Sequence, residues 1–180
     1  MKKVIAIAAL SFVGIAAKAQ VASTATQTVN LNLSNAIELT FTGSGTATGA
    51  AVNLAFNTVN DYANGVQSSA QELKVRSNKK FDVTVKTNNA SFSYTGSTTP
   101  APVMPVSGVL GLKVSANGTG GTIAGTFAGY TSLSATAANL IANGQNGGNQ
   151  TFSVMYNATP GFTYPAGTYT VDVVYTATQQ

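Results

Sequence analysis

Apolar residues recur at every second position in short runs along most of this sequence. Phe152, Val154 and Tyr156 alternate with Ser153, Met155 and Asn157, and Tyr169, Val171, Val173 and Tyr175 alternate with Thr170, Asp172, Val174 and Thr176. Val29, Leu31 and Leu33 repeat the pattern, as do Ile37, Leu39 and Phe41, then Val52, Leu54 and Phe56, then Leu110, Leu112 and Val114. Successive side chains of an extended backbone point to opposite sides, so a period of two sorts a greasy face from a polar one and argues against helices. Gly, Asn, Ser and Pro bound the runs, which predicts about nine or ten short strands in a sandwich or barrel. Alternation, as opposed to solid apolar blocks, favours antiparallel pairing. The expected fold is all-β and antiparallel.

One pair of runs invites a closer assignment. Leu73 and Val75 alternate with Glu72, Lys74 and Arg76, while Phe81, Val83 and Val85 alternate with Lys80, Asp82, Thr84 and Lys86. Ser77-Asn78-Lys79 between them has turn chemistry. A hairpin with that three-residue loop sets Val75 opposite Phe81 and Lys74 opposite Asp82, keeping like faces together. Elsewhere the pattern weakens. Thr122 to Tyr130 reads as a Gly-interrupted strand, Ser134 to Ile141 as a helical turn or an edge strand, and Asn143 to Asn149 (NGQNGGN) as a loop.

The start of the chain has a different character. Met1-Lys2-Lys3 precedes a nearly unbroken apolar run, Val4 to Ala17, and Ala17-Lys18-Ala19 has the small-x-small pattern that a signal peptidase reads. A membrane-spanning helix needs roughly 20 apolar residues, more than this run supplies. Residues 1–19 are therefore expected to be a cleavable signal peptide. Residues 20–180 would be a single secreted domain with no transmembrane segment, located in the periplasm, at the cell surface or outside the cell. An outer-membrane barrel also alternates, but its strands need about 9–11 residues with aromatic girdles. Most runs here are shorter.

Charge and inventory narrow the function. The formal charge of +4 owes much to Lys2, Lys3 and Lys18; beyond residue 19, six cations face five carboxylates, a net charge of +1. Such a surface does not suit nucleic acid, whose binding rests on neutralising many phosphates. It also does little to repel copies of itself. No cysteine is present to staple the fold, and no histidine to act as base or ligand. Ser-His-Asp and Cys-His catalysis and most zinc sites are thereby excluded, and no calcium-loop motif occurs. Glu38, Glu72, Asp61, Asp82 and Asp172 stand on polar strand faces, beside lysines or in a turn, so no carboxylate pair suggests glycoside hydrolysis. The expectation is a protein that is not an enzyme, with no cofactor and no metal.

Two groups of side chains are candidates for binding. Lys74, Arg76, Lys79, Lys80 and Lys86 could hold an anionic glycan, but Glu72 and Asp82 interleave them, as on a ribbon kept soluble by charge. Of the seven tyrosines, Tyr156, Tyr169 and Tyr175 share parity with core positions. Tyr62, Tyr130 and Tyr164 fall in turn-like segments and are the ligand-contact candidates, for glycans above all.

The segment Ala166-Gly167-Thr168-Tyr169-Thr170-Val171-Asp172-Val173-Val174-Tyr175 resembles the closing strand of pilin-like domains, including the spore-coat-U family of secreted β-sandwich proteins of Gram-negative bacteria. Phe152 to Tyr156 followed by Pro160-Gly161 is similar to their penultimate strand. The resemblance implies an all-β, antiparallel immunoglobulin-like β-sandwich used as a fimbrial or other surface subunit, which lacks one strand and receives it from a neighbour's N-terminal arm by β-strand addition. Its partners would be copies of itself or related subunits, with a periplasmic chaperone beforehand. The arm here would be residues 20–33, with Val29, Leu31 and Leu33 as its knobs. The same residues could instead form the domain's own first strand. The expected function is a non-enzymatic structural subunit of a surface fibre, pilus or matrix. The alternative is a monomeric secreted adhesin or carbohydrate-binding module.

Overall fold

The computed structural model describes residues 22–180. The expected signal segment, its cleavage site and the first two residues of the arm lie outside the described residues. The chain divides into two units, one ending at Leu33 and one spanning Ser34–Gln180.

In the first unit, the described residues 22–33 form no helix or strand, and all are exposed. The run Val29, Leu31, Leu33 is not a strand of the sandwich, although its alternation is that of one.

The second unit holds twelve strands and one short helix. In chain order these are β1 (Ile37–Phe41), α1 (Val59–Asn64), β2 (Val66–Gln67), β3 (Gln71–Ser77), β4 (Phe81–Thr87), β5 (Ser93–Thr95) and β6 (Leu110–Asn117). They continue with β7 (Thr122–Ile123), β8 (Thr131–Ser132), β9 (Ala138–Gly144), β10 (Gly147–Ala158), β11 (Thr168–Thr170) and β12 (Val173–Gln179). One sheet runs β1-β3-β10-β6-β8 with β2 beside β10, the other runs β12-β4-β9-β7, and β11 pairs with β5. Every pairing is antiparallel. Leu73, Val75, Leu112, Val114, Phe152 and Val154 of the first sheet pack in one core with Phe81, Val83, Val85, Leu140 and Ile141 of the second. The fold is an all-β antiparallel sandwich, with more and shorter strands than the nine or ten expected.

The expected hairpin between β3 and β4 does not form. β3 lies between β1 and β10 in one sheet, while β4 lies between β12 and β9 in the other. Ser77 to Lys80 is therefore a crossing between the layers. Ser77 Oγ organises it, donating to Lys79 O at 2.7 Å. The apolar parity of both strands is as expected, since Leu73, Val75, Phe81, Val83 and Val85 are all buried. They meet as opposing faces of a core, not as neighbours on one face.

The loop expected over Asn143 to Asn149 shrinks to two residues, because β9 continues to Gly144 and β10 begins at Gly147. This connection also crosses between the sheets. It works because Gly144 has no side chain: a Cβ there would stand 2.6 Å from the Phe81 ring. Ser134 to Ile141 leads into β9, an inner strand and not an edge. Thr122 to Tyr130 divides into β7 and a 3-10 turn, Gly125–Ala128, that buries Phe127. Val52, Leu54 and Phe56 make no strand, although Leu54 and Phe56 pack against the core. The last expected strand breaks at Val171 and Asp172 into β11 and β12.

Candidate assembly cleft and aromatic surface

The two sheets end side by side at β1 and β12, each of which has a strand partner on one side only. Between them opens a cleft of about 370 Å³ lined by Leu39, Phe41 and Ala47 on one side, Val173, Tyr175 and Ala177 on the other, and Leu73. Tyr175 is packed edge-on against Phe41, with centroids 6.2 Å apart, and against Phe152 at 6.4 Å. Its hydroxyl lies 2.7 Å from that of Tyr156 on the opposite sheet. Desolvation raises the Tyr175 phenol well above its ordinary value, and the Tyr156 phenol beside it adds to the effect. Desolvation likewise raises Tyr156, against the lowering effect of its bond to Tyr175.

β12 reads VVYTATQ, with neither charge nor proline along it. Edge strands that are kept from pairing usually carry one or the other. β1 carries Glu38, which forms a surface ion pair with Arg76 on β3, N–O 3.6 Å. The residues leading into β1 are firmly tied. Asn78 Nδ2 donates to Ser34 O at 2.8 Å, Ala36 N donates to Asn78 Oδ1 at 3.0 Å, and Gln179 Nε2 donates to Ala36 O at 2.8 Å. The Asn78 and Gln179 amides thus hold the base of β1 to the β3–β4 crossing and to the end of β12.

The sequence-predicted site residues separate into three places. Val29, Leu31 and Leu33 are 75%, 82% and 89% exposed. Tyr62 and Tyr164 come together across a shallow pocket of about 330 Å³ that also takes in Asn57, Thr58, Val59 and Phe162. Tyr130 is elsewhere: its hydroxyl donates to Gln67 Oε1 at 2.9 Å, and Lys113 Nζ sits 4.6 Å from its ring centroid. Of the three tyrosines with core parity, Tyr156 is buried and Tyr175 packs on the core. Tyr169 instead joins a surface cluster with Tyr94 at 5.0 Å and Tyr164 at 6.4 Å. Desolvation and then the neighbouring phenols of Tyr94, Tyr164 and Tyr62 raise its pKa. The cause of its departure is the break before β12, which separates β11 from the core strand.

The pocket's wall is α1 and the turn before it. Thr58 caps the helix, its Oγ1 accepting from Asp61 N, and the Asp61 carboxylate accepts from Asn57 N at 2.8 Å and Thr58 N at 2.7 Å. These backbone donors hold the Asp61 carboxyl below its ordinary value. This capping box fixes the start of α1, the helix that carries Tyr62 where a turn was expected. Tyr62 stacks on Phe162, with centroids 5.6 Å apart and rings 24° from parallel, and leans on Phe56 at 5.4 Å. Phe162 and Asn57 were not among the residues singled out from sequence. The available signal was a large aromatic placed directly after the Pro160-Gly161 turn, where no alternation requires one.

The basic residues do not gather as one ribbon, because Lys74 and Arg76 are on β3 while Lys80 and Lys86 flank or lie on β4, in the other sheet. Among the described residues, no helix is long and apolar enough to cross a membrane, and no three His, Cys, Asp or Glu side chains gather in a metal-holding group. No protein-family model and no curated protein matches the chain.

Proposed function

We propose that this protein is an exported, non-enzymatic structural subunit of a cell-surface fibre or matrix. It assembles when the arm of one copy, residues 20–33, pairs with the β1–β12 cleft of another. The observation that carries this reading is the exposure of Val29, Leu31 and Leu33, an apolar period-two run outside any strand. A run of that kind gains by adding to a sheet edge. Main-chain hydrogen bonds supply affinity and alternate side chains fill pockets. Each Val or Leu moved from water into a cleft contributes roughly 1.5–3 kcal/mol. The open, apolar cleft beside the uncharged β12 offers such an edge.

Deletion of residues 20–33 tests the proposal. The full processed chain should elute from gel filtration as polymers and appear as fibres by negative-stain microscopy. The truncated chain should elute as a folded monomer. Polymers of the truncated chain would refute the arm's role, and an intact chain that stays monomeric at high concentration would refute assembly.

A further inference from the structure

The aromatic pocket shares no lining residue with the β1–β12 cleft. Among the described residues, five of the seven tyrosine hydroxyls find partners within the protein: Tyr94 with Ala166 O, Tyr130 with Gln67, Tyr156 with Tyr175, and Tyr169 with Pro165 O. The remaining two, Tyr62 and Tyr164, make no such bond, and both line this pocket. Phe162, 67% exposed and stacked on Tyr62, and the exposed Val59 line the same pocket. The Phe162 ring rests on that of Tyr62 and is otherwise held out to water by its loop. The rim adds the Asn57 side-chain amide, which has no intramolecular hydrogen bond, while the Asn57 backbone N–H is taken by Asp61. No lining residue is charged, and the nearby Asp61 carboxylate is already occupied by two backbone donors.

We infer that the pocket formed by Asn57, Tyr62, Phe162 and Tyr164 is a binding site for a neutral pyranose unit of a polysaccharide. The chemistry follows from the combination. A sugar ring presents an apolar C–H face and an equatorial rim of hydroxyls. The aromatic platform covers the first, and amide and phenol groups meet the second. An apolar peptide or a lipid would leave the three polar groups unsatisfied on closure, which is costly. An anionic ligand would find no cation. The capping box supplies the rigidity that such a shallow site needs, since it fixes the backbone on which Tyr62 is carried.

Affinity electrophoresis of the full processed chain through native gels containing soluble neutral polysaccharides (a β-glucan, an α-glucan, a galactomannan and a xylan, each alone) tests this. A sulfated dextran gel serves as the anionic control. The wild-type chain should be retarded by at least one neutral polymer and not selectively by the sulfated one. Phe162→Ala should weaken that retardation about tenfold or more, the scale of losing a central aromatic anchor. Tyr62→Phe combined with Tyr164→Phe, which keeps both rings and removes both hydroxyls, should weaken it several-fold. Tyr130→Phe should leave it unchanged. Thermal unfolding of each variant should remain cooperative, with Phe162→Ala losing only its stack on Tyr62, because Phe162 and both hydroxyls are outside the core. No retardation by any neutral polymer would overturn the assignment. So would retardation that survives Phe162→Ala or that appears only with the sulfated polymer.

Discussion

Tyr156 of β10 and Tyr175 of β12 face each other across the sandwich with their hydroxyl oxygens 2.7 Å apart. It is a polar link between the two sheets, placed where the cleft meets the core. A hydrogen bond so placed contributes modestly when made and is expensive when half broken.

Removing one hydroxyl therefore strands the other. Tyr156→Phe or Tyr175→Phe should each lower the unfolding free energy by about 1–2 kcal/mol. The double variant should cost less than the sum of the two, because its remaining surfaces are both apolar. Urea titrations of the four proteins, followed by far-ultraviolet circular dichroism, complete the cycle; additive losses would mean that the hydroxyls act independently.

Both phenols are raised in the folded state. The folded protein thus keeps protons that the unfolded chain releases above its ordinary tyrosine value of 10.0. The contribution is fully present below that value and is lost as pH rises beyond it, so stability should fall in the alkaline range. Chemical unfolding at pH 8 and at successive steps above pH 10 should show the decline, and the Tyr156→Phe, Tyr175→Phe double variant should flatten it.

Gly144 lets the β9–β10 crossing lie against Phe81, since a Cβ would come within 2.6 Å of that ring. Phe81 is fully buried and cannot easily retreat. Gly144→Ala should destabilise the domain by about 1–3 kcal/mol, as overpacking of a filled core does. Gly148→Ala, at a position with open space around its Cβ, is the control and should cost far less. Thermal melts of the two variants give the comparison.

Leu31 is 82% exposed, in the middle of the apolar run of the arm. Leu31→Asp should leave the unfolding free energy of the monomer within about 0.5 kcal/mol of wild type, as surface changes do. It should abolish the polymers proposed above. Light scattering beside a urea titration reads both at once, and polymers of undiminished length would count against the arm.

Much of the fold was legible because alternation is a local property. Leu73, Val75, Phe81, Val83, Val85, Phe152 and Val154 were assigned inward from the residue pattern alone, and all seven are buried. The break at Val171 and Asp172 was hidden, because two strands that continue one parity look like one. So was the fate of Val52, Leu54 and Phe56, whose alternation serves a loop lying against the core. The candidate site was half legible. Tyr156 and Tyr175 share core parity and pack on the core, whereas Tyr169, with the same parity, lies in a surface cluster, and Tyr62, expected in a turn, is carried by α1. Which turns meet in space is not a local property, and so Tyr130 was grouped with Tyr62 and Tyr164 while Phe162 and Asn57 were missed.

By itself the sequence determined the all-β class, the inward face of most strands and the shortage of acid-base groups, because each follows from residue type and a period of two along an extended backbone. The tertiary structure decided which strands are neighbours. It sent β3 and β4 to opposite sheets, left the β1 and β12 edges open beside each other, and brought Tyr62 of α1 to one surface with Phe162 and Tyr164 of the β10–β11 loop. The physical reason is that a strand's two faces are fixed by its own side chains, whereas its partners are chosen by whichever arrangement buries all the apolar faces together.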